Sequence, residues 1–95
     1  MNYILPSENL IVGEWSIEKG HLFPDAVCSR IENLVSGYLS KLSSSEDFGD
    51  WEILYRDKND NRLWEKYYPK SELHGGGPPS LRVISEGEAR RKYKF

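Results

Sequence analysis

The segment Gly75-Gly76-Gly77-Pro78-Pro79 constrains the fold of this chain more than any other part of its sequence. Glycine permits left-handed or crowded backbone conformations, whereas each proline fixes φ and removes an N–H donor. Ordering such a segment costs about 1 kcal/mol or more per residue, so contacts from elsewhere must hold it. We expect a structural bend between two strands. A loop shaped for a protein partner is the alternative, because composition does not separate the two.

A glycine run can also form a phosphate cradle. Such a cradle needs backbone N–H groups aimed at the anion and a helix that begins at once. Pro78 and Pro79 remove two of the donors. The residues that follow, Ser80–Ile84, have the apolar and β-branched character of a strand. Both features argue against phosphate binding.

Length and composition predict one small domain in the cytoplasm. The 95 residues, of which 38% are hydrophobic, suffice for one modest core. No apolar stretch approaches the roughly 20 residues that cross a membrane, and Met1–Pro6 lacks the pattern of a signal peptide. Cys28 is the only cysteine, which excludes an internal disulfide and fits a reducing compartment. We expect residues 1–95 to form a single domain without a membrane partner.

The charges are unevenly distributed. Residues 1–50 hold eight acids against three bases, whereas residues 51–95 hold seven acids against ten bases. Four acids cluster after the first predicted helix: Glu46, Asp47, Asp50 and Glu52. The chain ends in a basic tail: Arg90, Arg91, Lys92 and Lys94. Ordinary solvated surface is the simplest explanation of both clusters, but a functional acidic cluster would attract a basic partner.

An apolar stripe at helical spacing predicts one long helix. Its members recur three or four residues apart: Val27, Ile31, Leu34, Val35, Tyr38, Leu39 and Leu42. Asp25 is placed to cap the first turn, and Ser43-Ser44-Ser45 is expected to end the helix after about 18 residues. Cys28, near the stripe, is expected to be a small buried residue.

Strand patterns flank this helix. Leu10–Ile17 reads as a strand in which Gly13 marks a bulge or a close backbone approach. After a turn at Glu18-Lys19-Gly20, His21–Phe23 can pair back as a short second strand.

After the helix, Trp51–Arg56 and Leu63–Tyr68 read as two strands, joined into a hairpin by turn formers at Asp57–Asn61. Large side chains occur on both faces of this hairpin, so we expect one face to pack on the helix and the other to be partly aromatic and exposed. Leu81–Ile84 is a final strand. Ser85 and Glu88 then form a capping box that begins a short helix.

The predicted fold class is α+β: a single small domain with a mostly antiparallel sheet, one long helix packed across it and a short C-terminal helix. The apolar stripe of the helix, including Leu39 and Leu42, should be buried against the sheet. On the sheet side we expect Trp51, Ile53 and Leu63, or their alternates, to cover it.

The sequence contains no recognisable catalytic or metal-binding set. His21, His74 and Cys28 do not have the spacing of metal ligands, and no nucleophile elbow or zinc-protease motif occurs. The turn at Asp57–Asn61 lacks the acidic ligands of a calcium loop. We therefore expect no enzyme, no metal and no cofactor.

Two acidic pairs nevertheless merit consideration. Glu72 beside His74 could perform acid–base chemistry, although a hydrogen-bonded structural role is simpler. Glu52 and Glu65 on neighbouring strands could be paired carboxylates, although salt bridges across the strands to Arg56 or Lys66 are simpler.

A succession of short motifs resembles one bacterial family. The motifs are Gly13-x-Trp15, Cys28-x-Arg30-Ile31, Trp51-Glu52-x-Leu54-Tyr55-x-Asp57, Asp60-x-Arg62-x-Trp64-Glu65, Tyr68-Pro69-x-Ser71-Glu72 and His74-Gly75-Gly76-Gly77-Pro78-Pro79. Over nearly the whole chain they are similar to the polymorphic-toxin immunity proteins numbered twenty-seven. Asn61 departs from the pattern, because glycine is expected after the aspartate of the hairpin turn.

The resemblance implies a cytoplasmic protein of bacterial competition that binds the C-terminal toxin domain of a secreted effector encoded beside it. We expect a monomer that neutralises the toxin without catalysis. Aromatic anchors inside a charged rim suit such an interface. The candidate toxin-binding residues are Glu46, Asp47, Asp50, Glu52, Tyr55, Trp64, Tyr67, Glu72 and His74.

Two other classes of function are kept as alternatives. A single-stranded nucleic-acid-binding module would stack bases on the strand aromatics and hold phosphates with nearby bases. Its residues would be Trp51, Tyr55, Trp64, Tyr67, Arg56, Arg62, Lys66 and the basic tail. The acidic half of the chain argues against a nucleic-acid partner. A small enzyme built around Glu72 and His74 is the third class.

Overall fold

The computed structural model of the chain describes residues 3–70 and 77–95. Within these ranges the chain forms seven strands and two α-helices. They are β1 (Leu10–Val12), β2 (Trp15–Glu18), β3 (His21–Pro24), α1 (Ala26–Asn33), β4 (Leu39–Ser45), β5 (Gly49–Asp57), β6 (Leu63–Tyr67), β7 (Ser80–Ile84) and α2 (Glu86–Lys92). A π-helical segment, Leu34–Tyr38, continues α1.

Five of the strands form one antiparallel sheet in the order β1-β7-β6-β5-β4. Strands β2 and β3 form a separate two-stranded hairpin. The two helices lie against opposite faces of the main sheet, since each contributes to a different apolar cluster. The predicted α+β class, with a mostly antiparallel sheet and a short C-terminal helix, is confirmed.

The first predicted strand is divided at Gly13. The N–H of Gly13 donates to the carbonyl oxygen of Pro79 at 3.0 Å. A Cβ at this position would collide with that oxygen and lie 2.8 Å from the Sγ of Cys28. The predicted close backbone approach is therefore confirmed.

The predicted turn into β3 is also formed. Its residues Lys19 and Gly20 have φ values of +51° and +78°.

Helix α1 begins as predicted but ends earlier. The side chain of Asp25 accepts a hydrogen bond from the backbone N–H of Cys28 at 2.9 Å, so the predicted N-cap is confirmed. Cys28 is buried, as expected. The expectation that the helix continues through Leu42 to the three serines is wrong, because the chain enters β4 at Leu39.

A bulge in β4 explains why the apolar residues of this strand recur at the spacing of a helix. Its pairing with β5 shifts register between Lys41 and Ser43, which breaks the two-residue alternation of a strand. Leu39 therefore packs in the cluster beneath α1, whereas Leu42 packs against the cluster on the other face. Two leucines three residues apart match a helix as well as they match this bulged strand.

Both faces of the sheet are covered. The cluster on the α1 side consists of buried apolar residues from the N-terminal segment, from α1 with its π-helical continuation, and from the sheet: Ile4, Ile11, Ile31, Leu34, Leu39, Tyr55, Trp64 and Leu81. The cluster on the α2 side is smaller: Leu54, Leu63, Ile84, Ala89 and Tyr93. The expectation of one partly exposed aromatic face is therefore wrong, and Trp51, predicted in the core, is instead 52% exposed.

The start of α2 follows the sequence prediction. The backbone N–H of Glu88 donates to Ser85 Oγ at 3.1 Å, and the N–H of Ser85 donates to Glu88 Oε1 at 3.4 Å. This reciprocal pair is the predicted capping box.

The described end of the glycine–proline segment is held by the rest of the chain. Gly77 has a φ of +75°, and a Cβ there would lie 2.7 Å from the carbonyl oxygen of Lys70. Pro79 accepts the hydrogen bond from Gly13. These contacts are what a structural bend requires, and Gly77 needs its missing side chain there. Gly75 and Gly76 lie outside the described residues.

Candidate binding surface

The turn between β4 and β5 collects exposed acidic and aromatic side chains at one edge of the main sheet. These residues, named the acidic tip, are Glu46, Asp47, Phe48, Asp50 and Trp51. Ser45 Oγ accepts the backbone N–H groups of Asp47 and Phe48, each at 3.2 Å. Gly49 completes the turn with a φ of +57°. The backbone beneath the acidic tip is therefore well defined.

Two aromatic rings of the acidic tip are open to solvent. Phe48 is 61% exposed and Trp51 is 52% exposed. The indole of Trp51 packs edge-on against the ring of Tyr68, with centroids 5.0 Å apart. This contact restricts the indole before any partner arrives, which lowers the entropic cost of using it as an anchor.

The acids of the tip are only weakly paired with bases of the same chain. Asp50 Oδ1 accepts a hydrogen bond from Ser44 Oγ at 2.6 Å and lies 3.9 Å from Lys41 Nζ. Glu46 Oε1 lies 3.5 Å from Lys94 Nζ. All four charged side chains in these two pairs are more than half exposed, so water screens the attraction.

Glu52 does not belong to the acidic tip, although the sequence grouped it there. Its Oε2 accepts a hydrogen bond from Lys92 Nζ at 2.7 Å, and the side chain is only 18% exposed. The alternation of β5 turns Glu52 toward the α2 side of the sheet, where Lys92 lies. The predicted four-residue acidic group is therefore divided into a surface part and an internal part.

The internal part is a buried ionic network around Glu65. Glu65 Oε2 accepts hydrogen bonds from Lys92 Nζ at 2.6 Å and from the Tyr93 hydroxyl at 2.7 Å. Glu65 Oε1 accepts from Arg82 Nε at 2.9 Å. Glu52 and Glu65 thus share Lys92. The expected partners Arg56 and Lys66 contact other groups: Arg56 donates to the Asn61 carbonyl and Lys66 to Glu32.

The electrostatics of this network make it structural. Burial raises the pKa of Glu65, but the hydrogen bonds from Lys92, Tyr93 and Arg82 outweigh burial and hold the pKa below its usual range. Burial, together with the hydrogen bond to Glu65, raises the pKa of Tyr93, so its hydroxyl remains a neutral donor. Both oxygens of Glu65 are occupied, and the carboxylate anchors α2 to the sheet.

Two of the predicted surface aromatics are core residues. Tyr55 is 5% exposed and Trp64 is fully buried, so the expectation that they are exposed is wrong. Both point to the sheet face that α1 covers. Tyr67 is half-buried, with the Arg82 guanidinium 4.2 Å from its ring centroid. Burial of Tyr55 and Trp64 also removes two of the four stacking rings that the nucleic-acid alternative requires.

Two further predicted site residues, Glu72 and His74, lie outside the described residues. In the part of the chain that the structure describes, no group of three His, Cys, Asp or Glu side chains could hold a metal ion. None of the described helices combines the length and the apolar character needed to cross a membrane.

Phe48, like Trp51, is an exposed residue of the acidic tip that the predicted set of binding residues did not include. It lies between Asp47 and Gly49, outside every apolar repeat. A large apolar residue in an acidic turn has no core to enter. That isolation is the signal that could have identified it.

A family model described as Immunity protein 27 matches residues 17–85. No curated protein and no solved structure matches the chain. The matched range includes the whole acidic tip, and it confirms the resemblance inferred from the sequence motifs.

Proposed function

Since the chain belongs to the Immunity protein 27 family, we propose that it binds and neutralises a cognate toxin domain without catalysis. The family match carries the immunity function. The partner in this proposal is the C-terminal toxin domain of a secreted effector encoded beside this chain. Neutralisation takes place in the cytoplasm, with one monomeric chain for each toxin domain.

The acidic tip is the proposed contact surface. Phe48 and Trp51 supply exposed aromatic anchors, while Glu46, Asp47 and Asp50 surround them with negative charge. Aromatic anchors within a charged rim are the usual anatomy of a specific protein interface. A toxin that acts on nucleic acids needs a basic cleft to hold phosphates. An acidic rim would attract that cleft during encounter and then occupy it.

Neutralisation by binding alone also fits the internal carboxylates. Glu65 is saturated by donors, and Glu52 is held by Lys92. Neither side chain lies open to a substrate. Without turnover, each bound chain inhibits one toxin domain only while the complex lasts. Full neutralisation should therefore require as many molecules of this chain as of the toxin.

Charge reversal tests the contact surface. The pair of substitutions Asp47→Lys and Asp50→Lys should weaken binding to a catalytically inactive form of the neighbouring toxin domain, measured by calorimetry. Melting should change little, because both side chains are exposed. Glu86→Lys on α2 is the control, since it reverses an exposed acid outside the acidic tip. Equal affinity of the tip variant and the control would remove the tip from the interface.

Co-expression tests the function itself. Cells that express the active toxin domain should survive when this chain is produced in equal amount. Survival should decline when the chain is produced below the level of the toxin, because inhibition is stoichiometric. Continued killing in the presence of soluble, folded chain would overturn the immunity proposal.

A further inference from the structure

A groove separates the β2–β3 hairpin from α1. Its volume is about 460 Å³, and it is lined by side chains from the hairpin, from α1 and from the segment before β7. The lining residues that matter here are Trp15, Pro24, Ser29, Glu32, Asn33 and Pro79. We name it the hairpin groove.

Resting on the proposed function, we propose that the hairpin groove takes an arginine side chain of the toxin domain. Trp15, Pro24 and Pro79 give it apolar walls suited to the methylene stem of a long basic residue. The Trp15 indole can receive a guanidinium on its face. Ser29 and Asn33 are exposed on α1 and offer oxygen acceptors at the rim.

Glu32 supplies the charge that selects a cation. Among the described residues that line the groove, Glu32 is the acidic side chain, and it is 60% exposed. Lys66 Nζ donates to its Oε1 at 3.0 Å, while Lys66 itself is only 10% exposed. Lys66 therefore holds the carboxylate in place from below, and no hydrogen bond from the residues that the structure describes reaches Oε2. A charge-assisted hydrogen bond to a guanidinium is the strong interaction that such a geometry favours.

The hairpin groove is linked to the acidic tip by a chain of direct contacts. Glu32 bonds to Lys66, whose Nζ lies 5.7 Å from the ring centroid of Tyr68. Tyr68 in turn packs against Trp51 of the tip. The groove and the Trp51 end of the tip therefore lie on the α1 side of the sheet, and a single partner can cover both.

The β2–β3 hairpin beside the groove exposes an apolar face that a partner could cover. Ile17 and Leu22 are directly paired across β2 and β3, and they are 75% and 59% exposed. Trp15 and Pro24, the next pair on the same face, line the groove. An apolar hairpin face that continues into a groove is typical of an interaction site.

A second copy of this chain is poorly equipped to fill the groove. Five of the six arginines in the sequence already donate to groups within the chain: Arg30, Arg56, Arg62, Arg82 and Arg90. A foreign protein with a basic cleft brings free arginines instead. Charge complementarity thus favours the toxin domain as the occupant.

Binding to the inactive neighbouring toxin domain, measured by calorimetry, tests the groove. Glu32→Gln removes the charge but keeps the shape, and it should raise Kd about tenfold or more. Ser29→Arg places a cation of this chain at the groove while keeping the Glu32–Lys66 pair, and it should weaken binding to at least the same extent. Glu86→Gln is the control, because Glu86 is an exposed helical acid paired with Arg90 on the opposite side of the sheet. It should bind like the wild-type chain.

The possible results of these measurements distinguish the proposed function from the proposed role of the groove. A wild-type chain that does not bind the toxin domain overturns the proposed function itself. A wild-type chain that binds, with both groove variants equally tight and correctly folded, overturns only the groove. A dimer of the free chain in sedimentation that Ser29→Arg disrupts would assign the groove to a second copy and also overturn the proposal. A toxin arginine whose replacement by alanine no longer matters in the Glu32→Gln background would identify the occupant.

Discussion

At the scale of single residues, one ion pair connects the N-terminal segment to α1. Arg30 donates to both oxygens of the Glu8 carboxylate, at 2.7 and 2.8 Å, and to the Tyr3 carbonyl oxygen at 3.0 Å. The hydrogen bond from Arg30 lowers the pKa of Glu8 from 4.5 to about 2. Because this pKa is lower in the folded chain than in the unfolded chain, the pair stabilises the fold above pH 4.5. Its contribution is lost as the pH falls toward 2.

We predict that Glu8→Gln lowers the free energy of unfolding by about 1–2 kcal/mol at neutral pH, an amount reduced by solvent at this partly exposed side chain. Urea denaturation at a series of pH values measures it. Between about pH 5 and pH 2 the wild type should lose more stability than the variant, because only the wild type protonates Glu8. Parallel losses would show that the pair adds nothing to stability.

Asn61 shows what a resemblance can indicate without explaining it. The family pattern leads to glycine at this position, and the structure gives the reason: Asn61 has a φ of +63°. Asparagine tolerates that conformation better than most residues, but glycine adopts it without a steric penalty.

We therefore predict that Asn61→Gly leaves the melting temperature unchanged or higher. Asn61→Val should lower stability by about 1–2 kcal/mol, because a β-branched side chain is strained at positive φ. Thermal unfolding of the two variants measures the difference. A valine variant as stable as the glycine variant would contradict the strained turn.

At the scale of elements, β4 marks the limit of reading periodicity from one sequence. The cap at Asp25, the hairpin turn at Asp57–Asn61 and the capping box at Ser85 were predictable, because each depends on residues close together in the chain. The strand positions of Leu39 and Leu42 were not predictable, since the bulge that separates them arises only from pairing with β5. A register shift is a tertiary property, and the spacing of two leucines does not contain it.

The burial of Leu39 gives a prediction for this element. Leu39→Ala should reduce the free energy of unfolding by about 2–5 kcal/mol, because the leucine is 6% exposed within the α1-side cluster. Leu10→Ala is the matched control on another edge strand, where the leucine is 57% exposed. It should cost less than about 0.5 kcal/mol. Equal losses in chemical denaturation would mean that β4 does not belong to the core.

The candidate site was predictable only in its charged part. Glu46, Asp47 and Asp50 are exposed as expected, since short runs of acids rarely enter a core. The positions of Tyr55 and Trp64 were not predictable. Both faces of the hairpin carry large residues, and only the docking of α1 and α2 decides that neither face stays open.

The ionic network gives a prediction for α2. Lys92→Ala leaves Glu65 and Glu52 without their shared cation, and it should cost about 2–3 kcal/mol, less than a fully buried pair because Lys92 is 32% exposed. Lys94→Ala, which removes a side chain that is 86% exposed, should cost under about 0.5 kcal/mol. Amide exchange should show faster opening of α2 in the Lys92 variant alone. Unchanged protection would assign the docking of α2 to Ala89 and Tyr93 packing instead.

At the scale of the whole molecule, the net charge of −2 hides an acidic N-terminal half and a basic C-terminal half. The acids of the tip all belong to the acidic half. A toxin domain with a basic cleft would therefore be attracted before contact, and salt would screen that attraction.

We predict that the rate of association with the toxin domain falls about tenfold when ionic strength rises from about 0.01 to 0.15 M, while the dissociation rate changes much less. Stopped-flow tryptophan fluorescence can follow both rates, because Trp51 of the tip and Trp15 of the hairpin groove both lie in the proposed interface. In the variant with Asp47→Lys and Asp50→Lys this salt dependence should be much weaker. A salt-independent rate in the wild type would exclude electrostatic steering by the tip.

The position of the acidic tip has a consequence for how such a protein diverges. None of its five residues is a member of either apolar cluster, and its turn is fixed by Ser45 and Gly49, which are not among them. Under the proposed function, substitutions at the tip therefore alter recognition while leaving both apolar clusters intact. Lineages that carry this fold can exchange one adversary for another without first acquiring extra stability.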